Sequence, residues 1–228
     1  MKDLVLYHGS QKVIMKPQYG YGKSYNDYGM AFYCTEICEM AREWACTETL
    51  DGFSNQYRLK GQGLNELNLC GEDYHILNWL AVLLANRTFR VESDLQITAK
   101  KYILDNFLPN YRDYDVIKGY RADDSYFSFA NAFLNNSLSL EQLGKAMYLG
   151  QLGEQIAIVS KKAFLRLEFV DAEPVAKEVY YPKKVKRDQE ARRLYRDERD
   201  KVYEGTYMID LIREKWRNED ERLQHIVY

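Results

Sequence analysis

The chain has 228 residues, 46% of them hydrophobic and 29% charged, a balance that supports a packed core and excludes global disorder. A net charge of −2 sets aside binding to nucleic acid or an anionic membrane through overall charge alone. No stretch approaches the roughly 18 apolar residues of a membrane span, and the apolar run in MKDLVLYHGS is too short for a signal-peptide core, so a soluble, cytoplasmic protein is expected. Cys34, Cys38, Cys46 and Cys70 contain no C-x-x-C pair, and His8, His75 and His225 lie away from them in sequence, leaving no zinc framework. Free thiols are expected, with Cys38 and Cys46 reading as small buried apolar residues of a helix.

Residues 3–7 read as a strand running into His8-Gly9-Ser10, followed by a Gly- and Tyr-rich loop from Gln11 to Asp27. The alternating stretch 30–35 is a second strand, after which Thr35 is expected to cap a helix. Ile37, Met40, Ala41, Trp44 and Ala45 give that helix its apolar stripe. Short strands follow at 56–60 and 64–69, then a strongly apolar, buried helix from Tyr74 to Arg87. Asp115–Tyr120 is a strand candidate leading into Arg121-Ala122-Asp123-Asp124, where Asp124 or Ser125 caps a helix carrying Tyr126, Phe127, Ala130, Phe133 and Leu134. Ser139 and Gln142 form a capping box, and Gly150 ends the helix they open. Strands are expected at 155–160 and 163–170.

Strands at both ends with helices between them make an α+β layout. Composition shifts after Pro174: residues 183–201 hold nine Lys/Arg against five Asp/Glu, a local charge of +4. The division expected is a domain over 1–175 and a charged helical appendage over 176–228. The helical part, 183–224, packs through Tyr207, Met208, Leu211, Ile212 and Trp216, while its first half is a mostly solvated face. Lys183–Lys201 could also grip a nucleic-acid phosphate backbone.

Taken singly, His8-Gly9-Ser10, Tyr33 and Gln155 each have a structural explanation as strand-end, strand-core and strand-edge residues. Their order carries more. Leu6-Tyr7-His8-Gly9-Ser10, Asp27-Tyr28-Gly29-Met30-Ala31-Phe32-Tyr33, Asp115-Val116-Ile117 with Ala122-Asp123-Asp124, and Gln155-Ile156 resemble a bacterial family of uncharacterised proteins. That family is in turn similar to ADP-ribosyltransferases of the His-Tyr-Glu type, which include the poly(ADP-ribose) polymerases and diphtheria-toxin-like enzymes. The resemblance covers roughly residues 4–170 and implies split antiparallel β-sheets with flanking helices, and NAD as substrate. By that resemblance His8 bonds the adenosine ribose, Gly9 meets the nicotinamide carboxamide through its backbone, and Ser10 supports the same region. Tyr33 stacks on the nicotinamide ring.

The third position of the pattern, a Glu that stabilises an oxocarbenium-like transition state, is here Gln155, with Glu154 beside it. Adjacent strand residues face opposite ways, so only one of the two can enter the cleft without a bulge. Asp123 is a further candidate for the charge, and Asp124 is weighed with it; both read equally as turn and cap residues. The resemblance implies ADP-ribose transfer to a macromolecular acceptor, protein or nucleic acid, with no metal. A non-catalytic NAD or ADP-ribose binding module and an interaction protein assembled through its C-terminal helices are the alternatives. A toxin or phage-defence role, with an antitoxin or a second copy as partner, belongs to the same set of expectations.

Overall fold

The structure, a computed structural model, describes residues 1–90, 93–122, 124–149, 153–201 and 204–225. The strands are β1 (Leu4–Ser10), β2 (Phe32–Cys34), β3 (Gly52–Leu59), β4 (Glu66–Asn68), β5 (Val116–Tyr120), β6 (Glu154–Ile158) and β7 (Leu167–Val175). The helices are α1 (Cys38–Ala45), α2 (Ile76–Asn86), α3 (Asp94–Phe107), α4 (Asp124–Leu134), α5 (Leu140–Leu149), the single turn α6 (Lys161–Phe164), α7 (Lys177–Arg199) and α8 (Met208–Arg213). The class is α+β, as expected.

One sheet has the order β1-β3-β7 and is antiparallel; the other has the order β2-β6-β5-β4. Tyr7 and Thr35 exchange backbone hydrogen bonds of 2.8 and 2.9 Å and tie the two sheets together. The expectation of purely antiparallel sheets fails at β4 and β5, which pair in parallel. The connection between them is long enough to hold α2 and α3, and a parallel pair requires such a crossover.

Alternation along β6 sorts its side chains. Ile156 and Ile158 join Leu4, Leu6, Cys34 and Val116 in a core between the sheets, while Ala157 faces the helices. The larger core forms around α2, in which every residue from Ile76 to Leu84 is buried. Asn78 is tolerated there because its amide donates to Phe107 O at 2.8 Å and to Asn218 Oδ1 at 2.6 Å. Each fully buried large apolar side chain, Trp79 and Phe133 among them, contributes about 1.5–3 kcal/mol.

Several local expectations shift. Thr35 does not cap α1; its Oγ1 accepts from the N–H of Ile37, two residues on, at 3.1 Å, and Ile37 occupies the cap position. The stretch expected as a strand at 163–170 begins as the turn α6, capped by Ser160, before β7 starts at Leu167. The capping box of α5 forms as expected, with Ser139 N–H donating to Gln142 Oε1 and Gln142 N–H to Ser139 Oγ. Met208, Leu211 and Trp216 join the larger core. All four cysteines are free, Cys46 buried and Cys38 half-buried. No helix among the described residues is long and apolar enough to cross a membrane.

Candidate functional site

The strand pairing that sorts β6 also builds the site. Tyr33 on β2 lies opposite Ala157 on β6, and Gln155 is two residues along the same face. Both open onto a cavity of about 600 Å³ between that face and the helices α1 and α7, a size suited to a small-molecule site.

Asp27 organises the floor. It is only 6% exposed, yet both of its oxygens are satisfied. Arg87, at the end of α2, donates to Oδ1 at 2.9 Å and also to the Ala122 carbonyl. The Ala122 N–H and the Gln155 side-chain amide donate to Oδ2 at 2.9 and 2.6 Å. A carboxylate only accepts, so the Gln155 nitrogen must face Asp27. Gln155 Oε1 is then left as an acceptor with no partner among the described residues.

Tyr33 is held at its hydroxyl, which donates to Gly29 O at 2.7 Å and accepts from the Tyr28 N–H at 3.1 Å. Its ring stacks on Tyr28 with centroids 6.5 Å apart. Burial pushes the Tyr33 phenol well above its ordinary range, so it remains a neutral donor. His8 reaches Tyr33 from behind: Nδ1 lies 2.6 Å from the Tyr33 carbonyl oxygen, which makes Nδ1 the protonated nitrogen. Burial, only partly opposed by that bond, lowers the His8 pKa, so the ring is neutral and Nε2 is an acceptor.

The remaining sequence candidates stand apart from the lining. His8, Gly9 and Ser10 do not line the cavity among the described residues. A Cβ at Gly9 would overlap the Ala41 carbonyl and the Ala45 nitrogen of α1. This glycine is thus accounted for by helix packing, and Gly52 meets α1 in the same way. Ser10 Oγ donates to Lys12 O at 2.6 Å and accepts from Asn55 at 3.0 Å, serving the loop. Glu154 faces away from the cavity and pairs with Lys118 at 2.6 Å, as strand alternation requires. Asp123 lies outside the described residues.

The sequence reading did not assign the other lining residues to this cavity. Glu43 and Trp44 come from α1, Arg121 follows β5, and Tyr181, Lys184, Val185, Asp188 and Arg192 form one stripe of α7 at helical spacing. Arg187 anchors α7 to α1 through two bonds to the buried Glu43, at 2.9 and 2.8 Å. The first half of α7 therefore walls the cavity on one side, a correction to its reading as a mostly solvated face. Its outer side carries the expected internal pairs, including Arg193 with Glu190 and Asp197.

The family assignment follows from the chain's first three quarters. The chain belongs to the family described as Protein of unknown function (DUF3990), whose model matches residues 4–169. Tyr33, Asp27, Arg87 and Gln155 fall inside that match, and the α7 wall falls outside it. No curated protein and no solved structure matches the chain.

Proposed function

We propose that this member of the DUF3990 family is an NAD-dependent protein of the ADP-ribosyltransferase type, acting on a macromolecular acceptor. The observation that carries the reading is the meeting of Tyr33 and Gln155 in one cavity, with Gln155 Oε1 left by the bond to Asp27 as an acceptor without a partner among the described residues. Tyr33 offers the nicotinamide ring an aromatic face. Gln155 Oε1 accepts from a hydroxyl of the nicotinamide ribose. His8, outside the cavity lining among the described residues, holds Tyr33 in place by donating from Nδ1 to its carbonyl oxygen. In the reaction the bond from ribose C1′ to the nicotinamide nitrogen breaks, and nicotinamide leaves with the electron pair. An acceptor oxygen or nitrogen then bonds C1′ and gives up its proton. The protein's part is positioning, since the charge of Asp27 is matched by Arg87.

That matched charge favours a second reading, an NAD or ADP-ribose binding module without turnover. Nicotinamide release from labelled NAD in the presence of whole-cell lysate separates the two. Transfer predicts release together with label on a polymer. Gln155→Ala should then lower the rate by about 10²–10³, the usual effect of removing one well-placed group, and Glu154→Gln should do little. Release that is undetectable with protein, DNA, RNA and water as acceptors leaves the binding module.

A further inference from the structure

The loop from Gln11 to Asn26, between β1 and β2, holds Lys12, Lys16 and Lys23, Tyr19, Tyr21 and Tyr25, and no Asp or Glu. All three lysines are exposed, and none makes an ion pair among the described residues. Tyr21 is 86% exposed, Tyr19 57% and Tyr25 56%. The rings are outside although the main chain is fastened to the sheet. The Ile14 N–H donates to Oδ1 of the buried Asn55 at 2.8 Å, and the Tyr57 hydroxyl donates to the Ile14 carbonyl oxygen at 2.6 Å. Tyr19 meets Phe164 edge-on, with centroids 5.6 Å apart, and Lys23 Nζ lies 5.8 Å from the centre of the Tyr25 ring. The Tyr21 ring has no aromatic, cationic or hydrogen-bonding partner among the described residues. A fastened loop that turns rings and ammonium groups outward leaves them to a partner outside the chain. Its far end reaches the site, since Asn26 and the adjoining Asp27 line the cavity.

We propose that this loop docks a single-stranded nucleic acid. Every nucleotide of a single strand offers a flat base face and a phosphate, the partners that a tyrosine ring and a lysine ammonium take. A duplex hides its base faces in its own stack, which leaves the tyrosines nothing to cover. Charge is complementary as well. Three lysines without a carboxylate give the loop +3, whereas the whole chain carries −2, so the attraction is local to the loop. Because the loop ends in the cavity lining, a strand held on it is brought to the edge of the cavity that contains Tyr33 and Gln155. That the docked strand then accepts ADP-ribose rests on the reading above; the docking does not.

Fluorescence anisotropy of a labelled oligothymidylate of about 12 nucleotides, titrated with the intact chain in the absence of NAD, tests the docking. Tyr21→Ala should weaken binding about fivefold or more, the usual effect of removing a stacking ring, while Tyr21→Phe stays within about twofold. Log affinity should fall against log salt with a slope near about −2, and Lys16→Gln should make that slope shallower by about 0.7, the loss of one phosphate contact. Lys186→Gln, an exposed lysine of α7, should change neither affinity nor slope. The urea midpoints of Tyr21→Ala and Lys16→Gln should match that of the parent, because neither side chain has a native partner. No binding of the oligonucleotide overturns the docking, whether anionic vesicles or a protein bind in its place or not. Equal weakening by the Lys16 and Lys186 changes, or tighter binding of a duplex of the same length, overturns it too. Labelled NAD added to the same complex separates docking from transfer. Binding that depends on Tyr21 with no label on the oligonucleotide supports the docking and removes the strand as acceptor. Label on the oligonucleotide that is unchanged in Tyr21→Ala and Lys16→Gln overturns the docking and leaves the transfer reading standing.

Discussion

At the scale of single residues, the pairing of Asp27 with Gln155 answers why a glutamine stands where the His-Tyr-Glu pattern has a glutamate. A carboxylate at 155 would sit about where the Gln155 amide now donates to Asp27 at 2.6 Å, and two carboxylates at that separation cannot both ionise. Gln155→Glu is therefore expected to lose stability, not to gain activity. Its deficit in urea unfolding should be largest near pH 8 and shrink toward pH 5, as one carboxyl takes up a proton. A variant as stable as the parent at pH 8 would mean that Asp27 and position 155 are not in contact. Strand alternation was enough to separate Glu154 from Gln155 in the sequence. Asp27 was not singled out, because a lone Asp closing a Gly- and Tyr-rich loop looks like any turn residue. Its partners, Arg87 and Ala122, are 60 and 95 residues away.

At the scale of elements, α1 is set down on β1 and β3 by the absence of side chains at Gly9 and Gly52. The same helix presents Glu43 to Arg187 and Trp44 to the cavity. Gly9→Ala would push against main-chain atoms that cannot rotate aside, so the helix itself must shift. A loss of about 1–3 kcal/mol in urea unfolding is expected, accompanied by weaker NAD binding as Trp44 moves. Unchanged stability would show that α1 does not lie so close. Long, strongly patterned elements were readable in advance: the apolar run of α2, broken within it only by Asn78, and the capping box of α5. The helix α3 was overlooked, although Ser93 accepts from the Gln96 N–H at 3.2 Å as an N-cap and Ala99, Ile103 and Phe107 are its buried stripe. Only three of its residues are buried, so its pattern is faint beside that of α2. The inward face of α7 was hidden for a different reason. Its cavity stripe is itself cationic, and charge in a sequence reads as solvent exposure.

For the molecule as a whole, burial ties folding to the state of two histidines. His8 and His75 both have their pKa lowered from the ordinary 6.5, chiefly by burial. As pH falls, the unfolded chain takes up these protons first. Their contribution is thus fully present above about 6.5 and is lost as pH drops below it, by at most about 1.4 kcal/mol per pH unit for each histidine. Thermal melting should be level from pH 8 to 7 and fall from 6.5 toward 5. Carboxylates held low, such as Asp115, add to the decline only at more acid pH. A rise in Tm across that acid range would contradict the burial of both rings. The claim on which the functional account depends is that the cavity over Tyr33 and Gln155 holds NAD. It is tested most directly by calorimetric titration of NAD into the intact chain and into Tyr33→Ala at pH 7.5. One saturable site is expected in the parent, weakened roughly two- to tenfold in the variant, because an aromatic contact is worth about 0.5–1.5 kcal/mol. No NAD binding by the parent, or equal affinity in the two proteins, would contradict it.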